Sequence, residues 1–322
     1  GWGYEYFKID GQPIVAAEYR NKLRFMRNAE AGVDGNEYYR RTLRTIRETI
    51  GEERYLLGCW GIPTEGAGIY NGSRTGGDIV LGGSGFLEAW GATLRNYYTH
   101  NIFWYADADV MCVRSPLTIE QARCWATLQG LTGQAMMASD RMMDLSEERV
   151  EMLRRVYPAV DIRPLDLYRP EGERIDKPVW DLKIGHLGRQ YDVVAIFNVG
   201  TDAPMRHVLR WERLGLEPER LYHVYDFWNR EYLGAWETGM LVEVAPTACR
   251  VLTLVAAADH PQLISTSRHI TQGWVDLVET EVLDGGLGWR GVSRVVAGDA
   301  YELRFAFPRG ENYEIVSATA GG

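Results

Sequence analysis

Tyr6-Phe7-Lys8-Ile9-Asp10, taken together with Arg74-Thr75-Gly76-Gly77-Asp78, is the stretch on which the reading of this chain turns. From Tyr4 to Ile9, aromatic or apolar residues alternate with charged ones, and Gly11, Gln12 and Pro13 follow. The alternation predicts a strand that ends in a loop. Lys8 and Asp10 then project to the same side, because strand side chains repeat every two residues. A lysine and a carboxylate at a strand mouth can hold a polar substrate and attack it. Asp78 follows an arginine and a glycine pair that lets backbone approach closely. Two carboxylates, one to attack and one to donate a proton, are the minimum equipment for cleaving a glycosidic bond.

This strand lies a few residues from the first residue, which is glycine and not methionine. The expectation is therefore a C-terminal portion of a longer protein. The 322 residues suffice for one large core or two moderate ones. Hydrophobic residues make up 46%, which argues against disorder. No apolar run approaches the roughly 18 residues that span a bilayer, so a membrane protein is not expected. A formal charge of −9 opposes nucleic-acid binding, which uses a basic face. A neutral substrate such as a sugar fits this balance, and the 11 tryptophans and 18 tyrosines suit sugar stacking, although most serve as ordinary core and surface aromatics.

Cys59, Cys112, Cys124 and Cys249 are scattered, so neither a disulfide framework nor a zinc site is indicated. The histidines show no ligand spacing, and no metal or other cofactor is expected. No signal peptide is visible, and the compartment is unreadable.

Residues 1 to about 160 alternate strand and helix patterns. A loop-rich stretch follows Asp10, then a basic amphipathic helix over Asn36–Ile50 and an apolar strand over Tyr55–Cys59. The glycine-rich stretch Gly66–Gly77 holds another short strand. Phe86–His100 reads as a helix, Ile102–Ala106 as a strand, Thr118–Gly130 as a helix and Gln134–Ser139 as the last strand. Thr118 with Gln121 forms a capping-box pattern, and Gly130 is a stop signal. Ser146 caps a further helix that opens with Glu147 and Glu148, with Leu145 and Val150 as a staple. Strands alternating with helices imply a parallel sheet. Asp10, Trp60, Asp107 and Asp140 sit just after strand ends, where barrel enzymes carry their active sites.

Pro164–Pro178 is rich in proline and charge and reads as a linker. Beyond it, strands are expected at Val193–Val199, Met240–Val244, Arg250–Val255, Val275–Val282, Val292–Val296 and Tyr301–Phe307, with a turn at Asp284-Gly285-Gly286. That half is an expected antiparallel sandwich.

These blocks resemble glycoside hydrolases of families 27 and 36, the α-galactosidase-like enzymes, in the same order. The blocks are Lys8 with Asp10, Cys59 with Trp60, Arg74 with Asp78 four residues later, and Tyr105-Ala106-Asp107-Ala108-Asp109-Val110-Met111. Leu117-Thr118-Ile119-Glu120, Ala138-Ser139-Asp140 and Tyr191-Asp192-Val193-Val194-Ala195-Ile196-Phe197-Asn198 complete them. The resemblance spans nearly the whole chain. It implies the C-terminal part of a (β/α)8 barrel, strands four to eight, over residues 1–163, a linker over 164–180, and an antiparallel β-sandwich over 181–322.

By resemblance, Asp10 is the nucleophile of a retaining double displacement on terminal α-galactosides, kept ionised by Lys8. Its plain alternative is an aspartate capping a turn. Asp78 is the general acid and later the base, and retaining chemistry expects the two carboxyls roughly 5–5.5 Å apart. Arg74 complicates this, since a guanidinium lowers a carboxyl pKa, so Asp78 would need burial or the charge of Asp10. Its plain alternative is a surface ion pair. Lys8 and Arg74 would bind sugar hydroxyls, with Cys59 and Trp60 lining the pocket. Cys59 also fits a small buried hydrophobe.

Asp107 and Asp109 could instead form the Asp–x–Asp metal pair of a nucleotide-sugar transferase, but the chain shows no other nucleotide site, and they are expected to shape the barrel mouth or support the nucleophile's surroundings. Asp140, Arg268 and His269 have structural readings. The expected partner is an oligosaccharide or glycoside, with self-association left open. Rival functions are a raffinose-synthase-like galactosyl transfer, and an inert partial chain that only binds carbohydrate.

Overall fold

The structure, a computed structural model, describes residues 3–22, 32–60, 64–166, 179–310 and 312–321. It divides into two compact units, Gly1–Val150 and Glu151–Gly322.

The first unit is built on four parallel strands in the order β1 (Tyr6–Ile9), β2 (Tyr55–Gly58), β3 (Gly72–Arg74) and β4 (Tyr105–Asp107). Helices α1 (Gln12–Lys22) and α2 (Gly35–Ile50) connect β1 to β2. Helix α3 (Gly83–Asn96) connects β3 to β4, and α4 (Ile119–Gly130) follows. Parallel bridges from Asp107 to Ala135 and from Met111 to Ala138 continue the order. This is part of a parallel β/α barrel.

Register and the two-residue period sort the sheet into two faces. Phe7, Ile9, Leu56 and Ala106 turn outward and pack with Ala16 of α1 and with Tyr39 and Leu43 of α2. Each large apolar side chain so buried contributes on the order of 1.5–3 kcal/mol. The opposite face carries Tyr6 and Lys8, Tyr55 and Leu57, Gly72 and Arg74, and Tyr105 and Asp107, aligned by the strand pairings. Gly72 has no room for a side chain there, since a Cβ would lie 2.1 Å from the Tyr55 hydroxyl.

Several expectations are corrected. The stretch after Asp10 is a helix, and Pro13 fits its first turn because no N–H partner is needed there. The Phe86–His100 helix starts earlier, at Gly83, and tightens after Asn96 into a 3-10 turn over Tyr97–Thr99. The Ile102–Ala106 strand is shifted to Tyr105–Asp107, and Asn101 turns the chain before it with φ 56°. Gln134–Ser139 supplies isolated bridges and no full strand. Helix α5 (Glu147–Val156) begins as expected, with the Ser146 carbonyl accepting from Arg149 and Val150.

In the second unit, β5 (Leu165–Asp166), β6 (Val179–His186) and β7 (Arg189–Asn198) begin a six-stranded antiparallel sheet. Further strands are β8 (Met205–Arg210), β9 (Tyr222–Asp226), β10 (Glu231–Trp236), β11 (Gly239–Val244) and β12 (Ala248–Ala256). The large sheet runs β10-β9-β12-β7-β6-β5, and β8 pairs with β11. Val194, Ile196, Leu252 and Val224 of the sheet share a core with Leu209 and Val242 of the β8–β11 pair. Two more antiparallel pairs join β13 (Gln262–Thr266) to β16 (Leu303–Ala306), and β14 (Leu277–Leu283) to β15 (Gly288–Ser293). The turn at Asp284-Gly285-Gly286 stands where it was expected, with φ of 51°, 64° and 102°. This is the β-sandwich. Strands β6, β8, β9, β10 and β13 had no counterpart in the expectation. Of the proposed linker, residues 167–178 lie outside the described residues, and Leu165–Asp166 pairs with β6.

Candidate active site at the strand ends

The inward face of the four parallel strands leads to one cluster at their C-terminal ends. Lys8 and Asp10 come from the end of β1, Cys59 and Trp60 from β2, and Arg74 and Asp78 from β3. Asp107 closes β4, and Asp109 follows it. Each strand therefore ends in, or is followed within a few residues by, a group of this cluster.

Asp10 is exposed, and its Oδ1 accepts from the Gly11 N–H at 2.7 Å. That hydrogen bond, then one from the Cys59 thiol, then the charges of Lys8 and Arg74, hold the Asp10 carboxyl below its ordinary range. It is an ionised carboxylate facing solvent. Burial works against the Lys8 ammonium, and Cys59 and Asp107 more than offset it, so its pKa is raised. Cys59 is buried, which pushes its thiol pKa up despite the cations Arg74 and Lys8. A protonated thiol donates to Asp10.

Arg74 is only 1% exposed. Its Nη2 lies 2.7 Å from Asp109 Oδ2 and donates to the Gly77 carbonyl at 2.7 Å. Its Nη1 reaches Asp78 Oδ1 at 3.3 Å and the Cys59 sulfur at 3.5 Å. Cys59 and Arg74 therefore link Asp10 to Asp78. The Asp78 side chain is 70% exposed, so the burial expected of a proton donor is absent. Arg74 Nε is buried without a hydrogen-bond partner.

Asp109 is the residue whose weight the sequence reading missed. Its Oδ2 also accepts from the Ile79 N–H at 2.6 Å, so it fixes the Asp78 loop as well as Arg74. Its own N–H donates to Asp107 Oδ1 at 2.8 Å. Burial raises the Asp107 pKa against the pull of Arg74 and of that N–H. The Asp–x–Asp spacing was the available signal. Asp140 proves structural, accepting from the Val113 N–H at 2.7 Å and pairing with Arg114 at 2.9 Å.

Trp60 is 42% exposed and has φ 75°. A bulky residue with positive φ is strained by about 1–3 kcal/mol, and such strain collects at functional sites. Its indole edge lies beside Gly77, where a Cβ would stand 3.4 Å from Nε1. The cluster thus offers one ionised carboxylate, one exposed carboxylate on a pinned loop, two cations and an exposed aromatic. Among the described residues, no group of three or more His, Cys, Asp or Glu side chains could hold a metal ion.

Residues 181–254 match the family described as the alpha galactosidase C-terminal beta sandwich domain. A family 27 β-L-arabinopyranosidase from Geobacillus stearothermophilus, solved with arabinose, has 17% identity and a TM-score of 0.59 over 80% of this chain and 59% of its own. α-Galactosidase I from Mortierella vinacea has 14% identity and a TM-score of 0.57, over 80% of this chain and 70% of its own. An isomalto-dextranase from Arthrobacter globiformis T6, solved with panose, has 17% identity and a TM-score of 0.51, over 81% of this chain and 47% of its own. The chain thus spans less than two thirds of the arabinopyranosidase. Identities at this level speak for the fold alone. The chain carries a melibiase-type C-terminal β-sandwich, and four fifths of it share the fold of the glycoside hydrolase family 27 α-galactosidases and arabinopyranosidases.

Proposed function

We propose that this protein is a retaining glycoside hydrolase that cleaves terminal α-galactosides by double displacement. The observation that carries the reading is the run of polar strand ends, with Asp10 after β1, Cys59 after β2, and Arg74 bonded to both Cys59 and Asp78 at the end of β3. It brings an ionised, solvent-facing carboxylate and a second carboxylate on a pinned loop to the same end of one sheet. Asp10 attacks the anomeric carbon, the glycosidic oxygen leaves with the proton of Asp78, and a glycosyl-aspartate forms. Water then attacks the anomeric carbon, Asp78 takes its proton, and Asp10 is released. Lys8 faces sugar hydroxyls, Arg74 holds the Asp78 loop from behind, and the Trp60 ring stacks on an apolar sugar face. The resemblance supports galactose, while the structural relatives, an arabinopyranosidase and an isomalto-dextranase among them, keep the sugar class wider than one epimer.

A mechanism-based inhibitor with an α-galactose ring should label Asp10, read by peptide mass spectrometry. Asp10→Asn should abolish labelling. Asp78→Ala should slow cleavage of a poor leaving group by on the order of 10²–10⁴-fold, and an activated aryl leaving group far less. Labelling at another residue, or none at all, would sink the proposal. Product analysis with an acceptor sugar separates hydrolysis from transfer, since both pass through the same adduct.

A further inference from the structure

Gln12 sits behind the candidate site and touches none of the groups assigned to the sugar, yet it bonds to both strand ends that carry them. It is the first residue of α1 and 5% exposed. Its main-chain N–H donates to the Cys59 carbonyl at 3.2 Å, and its side-chain Nε2 donates to the Asp10 carbonyl at 2.7 Å. Its Oε1 accepts from the Tyr39 hydroxyl at 2.8 Å and from the Tyr70 hydroxyl at 3.2 Å. The two hydroxyls lie 2.8 Å apart. The bonding decides the amide orientation, because the Asp10 carbonyl takes only a donor.

The tyrosines are themselves held. Tyr39 is fully buried on α2, and burial pushes its pKa up to about 12, so it remains a donor at any working pH. The Tyr70 ring fills the space over Gly58 and Gly66, where a Cβ would come within 2.5 and 2.0 Å of it. Gly58 is the last residue of β2, directly before Cys59. One buried amide thus ties the ends of β1 and β2 to a helix and to the β2–β3 connection.

We infer that Gln12 is a positioning residue for the proposed hydrolysis, holding the Asp10 and Cys59 main chains in one geometry through Tyr39 and Tyr70. This rests on the glycosidase reading above. Without the Nε2 bond, the Asp10 main chain swings on Gly11, and the carboxylate loses its aim at the anomeric carbon while the sugar-binding groups stay in place. Chemistry therefore suffers more than binding.

Gln12→Glu is the discriminating variant. It keeps an acceptor for both tyrosines and removes the donor to Asp10. The rate constant for inhibitor labelling of Asp10 should fall about tenfold or more, as a misplaced nucleophile does, with the inhibitor's half-saturating concentration within about threefold. Cys59 alkylation by iodoacetamide, followed by peptide mass spectrometry, should rise at least about tenfold relative to buried Cys124, because the adjoining ends of β1 and β2 open more often once the Asp10 tie is lost. Tyr39→Phe should move both readouts in the same direction by a smaller factor, and it decides the matter should Gln12→Glu fail to fold. Unchanged labelling and unchanged Cys59 alkylation would overturn the inference. Absence of Asp10 labelling in the unaltered protein defeats the glycosidase reading instead, and the Cys59 rate then decides the role of Gln12 alone.

Discussion

At Arg74 one buried guanidinium faces two carboxylates in very different surroundings. Asp109 lies 2.7 Å away with a side chain 13% exposed, and Asp78 lies 3.3 Å away and is largely in solvent. Solvent screens the second pair to about 0–1 kcal/mol. Breaking the first leaves a nearly buried charge alone, which costs about 3–5 kcal/mol. Arg74→Met should therefore destabilise the protein by several kcal/mol in urea denaturation. A double-mutant cycle should give strong coupling with Asp109→Asn and under about 1 kcal/mol with Asp78→Asn. Equal couplings would contradict this division. The sequence made Arg74 and Asp78 legible through their four-residue spacing, which favours a local pair. It could not show that Asp109, delivered by the next strand, takes the shorter contact. Long-range pairing follows from sheet register, and register is not written in any one segment.

Helix α4 is the element whose ends were most legible. Thr118 Oγ1 accepts from the Gln121 N–H at 3.1 Å, and Gln121 Oε1 accepts from the Thr118 N–H at 3.0 Å, the reciprocal capping box read from the two residue types alone. Thr118→Ala should cost about 1 kcal/mol of stability, and Thr118→Ser should recover most of it. An unchanged denaturation midpoint for the alanine variant would mean that packing alone holds this helix start. Helix α1 is not legible in the sequence because the residues after Pro13 show little amphipathic pattern, with Gln12 and Ala16 as its buried positions. Strand β6 escaped for a related reason. Its first four residues are all buried, so the polar–apolar alternation that marks a half-exposed strand is missing, and Asp181 and Lys183 break the apolar run.

Across the whole chain, buried titratable groups pull acid stability in opposite directions, as Asp181 and His269 of the second unit show. Lys183 Nζ lies 2.7 Å from Asp181 Oδ2 and 2.5 Å from Asp192 Oδ2, so one cation serves two buried acids. Burial first, and the charge of Asp192 second, push Asp181 up to about 7. The folded form therefore takes this proton before the unfolded chain does, and stability rises as pH falls from above 7 toward 4. His269 behaves in the reverse way. Its Nδ1 accepts from the Thr271 N–H at 3.2 Å, its Nε2 meets the Val156 carbonyl at 3.1 Å, and burial depresses its pKa to about 4. The unfolded chain binds that proton first, near the ordinary histidine value, so stability is lost as pH falls from about 6.5 to 4, by about 3 kcal/mol at the lower end. The two contributions have opposite signs. Asp181→Asn should steepen the loss toward acid, and His269→Gln, although less stable at pH 7.5, should gain stability on acidification. Urea midpoints at pH 4.5, 6 and 7.5 read this directly, and because each variant is compared with the parent, titrating groups outside the Asp181–Lys183–Asp192 cluster cancel. Three parallel profiles would show that neither group changes its proton occupancy on folding.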